Sequence, residues 1–448
     1  MTTVLQNCAV VTMDEGRNEY ASGHVVVDGN RIAAVGAGVA PAVPGATVID
    51  AAGCLATPGL VNTHHHLYQW LTRGLAPDAT LFEWLTTLYP IWARIDEELV
   101  HLAAGAALAR LAASGCTTSS DHHYVFPQGG GDLLAAEIAA AQQVGLRFHA
   151  TRGSMDLGRS AGGLPPDHVV EDRDTILAAS ADAIDRWHDT SFDAMVRVAL
   201  APCSPFSVTG ELMRESADLA RSRNVRLHTH LAETVDEDDF CRERFGCSPL
   251  EYVENLGWSG PDVWYAHGIH FDDAAIKRLG AAGSAVAHCP TSNGRLGAGI
   301  ARAMDLRTAG ATVGLGVDGA ASSEASSLLE EVRHAVLFAR ARGGPAAMTV
   351  RDALELATVG GAAVLGRSDE IGSLETGKLA DIALWRLDTP AHAGITDPVA
   401  ALVLGSPPPL RLLLVNGRTV VEDGVVQTVD EDALAVRVAA AHRTLVSP

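Results

Sequence analysis

The stretch Thr57-Pro58-Gly59-Leu60-Val61-Asn62-Thr63-His64-His65-His66 is an apolar run closed by three histidines. It reads as a buried strand whose C-terminal end passes from packing to ligand chemistry. Side chains alternate along a strand, so His64 and His66 face one way and His65 the other, and two neutral imidazoles on one face can grip one metal ion. Other reactive groups recur downstream: His122 and His123, Arg152, Cys203, His230 and Glu233, His267, His288 and Asp318. His64, His66, His230 and Asp318 offer three imidazoles and a carboxylate, a set that suits zinc, with ferrous iron as the alternative, better than magnesium or calcium. A metal so held lowers the pKa of bound water toward ~7, and Asp318 could act as ligand and proton acceptor at once. Glu233 could deliver a proton to a ring nitrogen or a leaving group. His267 could polarise the bond under attack or hold the oxyanion that forms.

These groups need a frame that brings distant segments together. Apolar runs at 55–66, 116–122, 146–152, 196–203, 225–233, 263–267, 285–288 and 312–318 read as buried strands, each followed by helical periodicity, as at 97–114, 133–144, 212–223 and 328–341. Buried strands alternating with helices demand a parallel sheet, and eight such units in about 300 residues match a (β/α)8 barrel. A doubly wound open sheet is the other topology with this pattern. The reactive side chains fall at or just past the strand ends, which is the catalytic face of a barrel. There the first and eighth strands are neighbours, so Asp318 can reach a metal on His64 and His66.

At both chain ends the pattern is instead short strands joined by turn dipeptides, Asp28-Gly29-Asn30 at one end and Asn416-Gly417 at the other. Each end alone has too few strands to bury a face. The expected fold class is therefore α/β: a (β/α)8 TIM barrel over 58–368, with a small β-sandwich built jointly from 1–57 and 369–448. Gly314-Leu315-Gly316-Val317-Asp318-Gly319 matches a dinucleotide-binding pattern in letters only. It lies late in the chain with no βαβ unit after it, so it reads as the barrel strand carrying Asp318.

The 448 residues are 47% hydrophobic and 19% charged, a globular composition. With 33 basic against 54 acidic residues the formal charge is -21. That charge repels polyphosphate and anionic lipid, so neither nucleic acid nor membrane is an expected partner. Apolar stretches are interrupted before about 18 residues, and residues 1–13 lack a signal-peptide pattern. The seven cysteines contain no Cys-x-x-Cys pair, which points to neither a disulfide framework nor a zinc knuckle, and to a cytoplasmic setting. A homo-oligomer is compatible with this composition.

Five segments carry a family resemblance: Pro58-Gly59-x-Val61-Asn62-x-His64-x-His66, His228-Thr229-His230-Leu231-Ala232-Glu233, Ala266-His267-Gly268, His288-Cys289-Pro290-Thr291-Ser292-Asn293, and Gly316-Val317-Asp318-Gly319. The chain resembles the amidohydrolase superfamily, in its cytosine and guanine deaminase and chlorohydrolase branch, over nearly its whole length. The resemblance implies a metal-bearing barrel that removes an amino or halide group from a small heterocycle by hydrolysis. Binuclear members bridge their metals with a modified lysine at the end of strand four. Here 196–203 has no lysine, and Lys277 and Lys378 are the only ones in the chain, which implies one Zn2+ per chain. The wording around Gln69, His123, Arg152 and Cys203 is similar to 8-oxoguanine deaminases, and relatives that hydrolyse hydroxylated triazines share much of it. That likeness implies attack at C2 of 8-oxoguanine, proton shuttling by Glu233, and release of urate and ammonia. Gln69, Trp92, His123, Arg152 and Cys203 are the expected substrate contacts.

Overall fold

The structure, a computed structural model, describes residues 2–447. Eight strands close in chain order into a barrel: Leu60–Asn62, Cys116–Ser120, Arg147–Ser154, Val196–Pro202, Arg226–Leu231, Val263–His267, Ala285–His288 and Thr312–Leu315. Neighbouring strands are parallel throughout, and the ring is sealed where Leu315 pairs with Asn62. Helices fill the connections. Six of them begin on Asp96, Asp132, Asp172, Thr209, Thr234 and Asp272, whose side chains each accept the backbone N–H three residues on. Such caps satisfy donors that a helix start otherwise leaves unpaired.

The chain ends join in one nine-stranded sheet, in which Thr2–Val11 pairs in parallel with Cys54–Pro58, and Cys54–Pro58 runs antiparallel to Ile382–Arg386. Residues from both ends share one core, with Leu5, Val10, Val25 and Ile32 packed together with Ile382, Leu384, Leu412 and Leu414. Asn416-Gly417 turns the hairpin between Leu410–Val415 and Arg418–Glu422 with positive φ at both residues, 52° and 75°. That is the two-residue turn whose twist matches antiparallel strands. The last helix, Glu431–Val446, leaves this sheet and reaches the barrel, where His442 Nδ1 donates to the Leu71 carbonyl at 2.7 Å.

The expected single strand over 55–66 divides at Gly59 into Cys54–Pro58, in the sheet, and Leu60–Asn62, in the barrel. A Cβ at Gly59 would sit 2.2 Å from Thr117 Cγ2, so only glycine lets the chain pass from one unit to the other here. Gly314 and Leu315 end strand eight, as the barrel reading of that glycine-rich segment requires. Among the described residues no helix is long and apolar enough to cross a membrane.

Candidate active site

Contacts at and just past the ends of the first and eighth strands set the site. Thr63 N–H donates to the Leu315 carbonyl at 2.9 Å, Val317 N–H to Asn62 Oδ1 at 2.9 Å, and Asp318 N–H to the His64 carbonyl at 3.0 Å. Asp318 thereby sits beside the histidine pair. His267 and Asp318 have φ of 73° and 67°, and Ala232, just before Glu233, has 53°. Non-glycine residues in this left-handed region are strained, and such strain collects where side chains must be aimed rather than relaxed.

The imidazole orientations follow from what each Nδ1 touches. His64 Nδ1 lies 2.8 Å from His228 Nε2, and His228 Nδ1 donates to the Trp264 carbonyl at 2.9 Å. With both rings held neutral by burial, His64 donates from Nδ1 and keeps its Nε2 lone pair free. His66 Nδ1 donates to the His122 carbonyl and His230 Nδ1 to the Cys203 carbonyl, each at 2.7 Å. All three Nε2 lone pairs then converge. His66 Nε2 is 3.1 Å from His230 Nε2 and 3.2 Å from Asp318 Oδ1, and His64 Nε2 is 3.4 Å from that same oxygen. Lone pairs aimed at one another at this range repel unless a cation lies among them, and His64 Nε2 is buried with no hydrogen-bond partner. Three imidazole nitrogens and one carboxylate fit a divalent transition metal. His122 falls in the same cluster, but its Nε2 is occupied by the Ala201 carbonyl at 2.8 Å. His65 points away, bonded to Ser326 Oγ at 3.0 Å.

Glu233 Oε2 stands 3.5 Å from His267 Nε2, itself 3.9 Å from Asp318 Oδ2. Burial, with the charge of Asp318 adding to it, pushes the Glu233 carboxyl well above the usual range, which suits a group that must give and take a proton near neutral pH. His267 Nδ1 donates to Asn293 Oδ1 at 2.9 Å, so its Nε2 presents a lone pair. In this tautomer Nε2 faces Glu233 and Asp318 as a hydrogen-bond acceptor. Glu237, which the sequence did not single out, accepts the backbone N–H groups of Ala232 at 2.9 Å and Glu233 at 3.2 Å. It clamps the turn that aims Glu233. Its position in the first turn of the helix after Thr234 was the available signal.

The cavity above these groups is lined by Gln69, Cys203 and Ser322 together with Leu81, Trp84, Leu85 and Tyr89 from the helix Leu81–Trp92. Both amide atoms of Gln69 are buried without partners. The Cys203 thiol is pushed up to about 12 by burial and stays neutral. Trp92, His123 and Arg152 are not brought to this cavity. Trp92 is fully buried and donates its indole N–H to Thr72 Oγ1 at 3.0 Å. His123 is engaged by Glu137 Oε1 at 2.7 Å and the Val125 carbonyl at 2.9 Å. Arg152 is held by both carboxylate oxygens of Glu171 at 2.8 and 2.9 Å, lies over the Phe126 ring at 3.5 Å, and lines a separate cleft. The indole N–H of Trp92, both ring nitrogens of His123 and both Nη atoms of Arg152 are spent on the protein itself.

Comparison with known proteins agrees with this geometry. The amidohydrolase family model matches residues 55–420. The chain is 49% identical over 431 residues to an 8-oxoguanine deaminase of Pseudomonas aeruginosa, covering 96% of each chain. It is 38% identical over 457 residues to an isoxanthopterin deaminase from an unknown prokaryotic organism, covering 96% of this chain and 94% of that one. The crystal structure of atrazine chlorohydrolase from Arthrobacter aurescens TC1 complexed with zinc superposes with a TM-score of 0.94 at 33% identity, over 98% of this chain and 100% of that one. With histidines and an aspartate gathered at the mouth of a closed barrel, and with matches of this length, the chain belongs to the amidohydrolase family as a deaminase-type hydrolase acting on carbon–nitrogen bonds.

Proposed function

We propose that this protein is a mononuclear zinc aminohydrolase that converts 8-oxoguanine to urate and ammonia. The observation that carries the reading is the buried, unpartnered amide of Gln69 facing the same cavity as Glu233 and Asp318. A primary amide with a free donor and a free acceptor is built to read the edge of a polar heterocycle, and such a site rejects analogues that leave it unpaired. The long match to an 8-oxoguanine deaminase supports the choice of heterocycle.

Zinc would be held by His64, His66, His230 and Asp318 and would supply Lewis acidity that lowers the pKa of water toward ~7. Asp318 accepts the proton released as water attacks C2, and the His267 Nε2 lone pair orients that water as a hydrogen-bond acceptor. Glu233 hands a proton to the ring nitrogen beside that carbon and takes one back from the C2 hydroxyl as the C–N bond breaks, while the proton held by Asp318 passes to the departing amine, which leaves as ammonia. Leu81, Trp84, Leu85 and Tyr89 exclude bulk water, which strengthens each of these polar contacts. One metal per chain is supported by the fourth strand, Val196–Pro202, which carries no lysine to bridge a second. All seven cysteines are free thiols, in keeping with a reducing cytoplasm.

Ammonia release from 8-oxoguanine, guanine, isoxanthopterin, S-adenosylhomocysteine and N-alkyl hydroxytriazines, measured on the zinc-loaded enzyme, tests the proposal. The highest kcat/KM is expected with 8-oxoguanine, with urate as product. Best turnover of a hydroxytriazine, with release of an alkylamine, would replace it by an alkylaminohydrolase reading.

A further inference from the structure

At the opposite mouth of the barrel, beneath the site described above, lies a second cavity of about 340 Å³. It opens at the N-terminal ends of strands three to six and is lined by His149, His188, Arg197 and Arg226, with the carboxylates of Asp262 and Glu370. The carboxylates are already neutralised. Glu370 accepts from Arg197 Nη2 at 2.6 Å and from Arg367 Nε at 2.7 Å, and Asp262 accepts from Arg221 Nε at 2.9 Å. Arg226 is different. Its one hydrogen bond is from Nη2 to the Pro261 carbonyl at 2.7 Å, its buried Nε has no partner, and among the described residues it forms no ion pair. A largely buried guanidinium whose one nearby carboxylate, Asp262, is already paired with Arg221 is costly, and burial lowers its pKa to about 10 although the charge of Asp262 opposes that shift.

Two further donors face the same space. His149 is 1% exposed, and neither of its ring nitrogens has a partner. Burial, followed by the charges of Arg367, Arg226 and Arg197, holds it well below the usual imidazole range, so it is neutral and offers one N–H. His188 accepts the Val198 N–H on Nδ1 at 3.1 Å, which leaves its proton on Nε2. An unpaired guanidinium N–H and two imidazole N–H groups around one cavity are the donors that an oxyanion requires. In a chain with a net charge of -21, such a cavity does not arise from general surface composition.

We propose that this N-terminal cavity binds a phosphate group, through Arg226, His149 and His188. Its volume admits inorganic phosphate or the phosphate end of a small phosphomonoester.

Isothermal titration of the zinc-loaded full chain with inorganic phosphate, and separately with glucose 6-phosphate, in low-salt chloride-free buffer tests this. One saturable site per chain is expected for at least one of the two probes, and the tighter of them identifies the source of the phosphate. Arg226→Gln should weaken that binding at least tenfold, and His188→Gln, at the half-exposed rim, about three- to tenfold. His188→Gln also serves as the reading if Arg226→Gln fails to fold. Deaminase activity should not be inhibited competitively by phosphate, because the cavity is not the catalytic mouth. The proposal is overturned by no saturable binding of either probe up to 20-fold above cellular phosphate, by binding that both variants retain, or by binding that competes with the substrate.

Discussion

His64 Nδ1 lies 2.8 Å from His228 Nε2, and the His228 ring stacks on Trp264 with centroids 4.4 Å apart and planes 12° from parallel. A ligand candidate is thus fixed by a second histidine two residues before His230 on the same strand, pointing to the same face of that strand. One strand therefore supplies both a metal-ligand candidate, His230, and the residue that sets the tautomer of another, His64. His66 and His230 are locked differently, by the carbonyls of His122 and Cys203. The three free Nε2 atoms are consequences of three hydrogen bonds made on the far sides of the rings.

If His228 fixes the His64 tautomer, His228→Phe should keep the stack on Trp264 while removing the acceptor. Metal affinity should fall about 10- to 100-fold, the usual cost of losing such a partner. Competition with a chromophoric chelator measures it. Unchanged zinc affinity would show that His64 keeps its orientation without His228.

Glu233 should be separable from metal binding. Glu233→Gln keeps the shape of the side chain and removes the titrating carboxyl, so kcat should drop by about 10²- to 10⁴-fold. Zinc content should stay at the level of the parent enzyme, since Glu233 lies outside the set that converges on Nε2. Loss of zinc together with activity would assign Glu233 to the metal instead.

Gly319 and Gln69 should fail together. A Cβ on Gly319 would lie 1.8 Å from Gln69 Oε1, so Gly319→Ala must displace the amide that faces the substrate. Gly319→Ala and Gln69→Ala should each lower kcat/KM by about 10- to 100-fold, and the double variant should lose little more than either alone. Additive losses would mean that the glycine acts on something other than Gln69.

The frame was legible because its signals are local. Eight apolar runs with reactive residues at their ends specify a barrel and its catalytic face, and alternation carried past the strand end at Asn62 separates His65 from His64 and His66. What the period cannot tell is which sheet a strand joins, so the segment around Gly59 read as one strand although its halves pair with Ile382–Arg386 and with Cys116–Ser120. Side chains whose partners are remote were also hidden. Arg152 and His123 look like substrate contacts until Glu171 and Glu137 are seen to engage them. Glu237 looked like an ordinary residue of a helix start until its carboxylate was found on the turn before Glu233. Hydrogen bonds between segments that the chain brings together only in three dimensions leave no periodic trace.

Trp92 gives that distinction a measurable form. Its indole N–H is given to Thr72 Oγ1, and its ring meets Trp84 edge-on at 5.1 Å and Tyr68 at 5.4 Å. Trp92→Phe removes one buried hydrogen bond and part of a ring, which should cost about 1–3 kcal/mol of stability in denaturant unfolding. The effect on kcat/KM should stay within about threefold, because the cavity is lined by Trp84 and Tyr89 of the same helix and not by Trp92. A loss of tenfold or more in kcat/KM with unchanged stability would return Trp92 to the substrate.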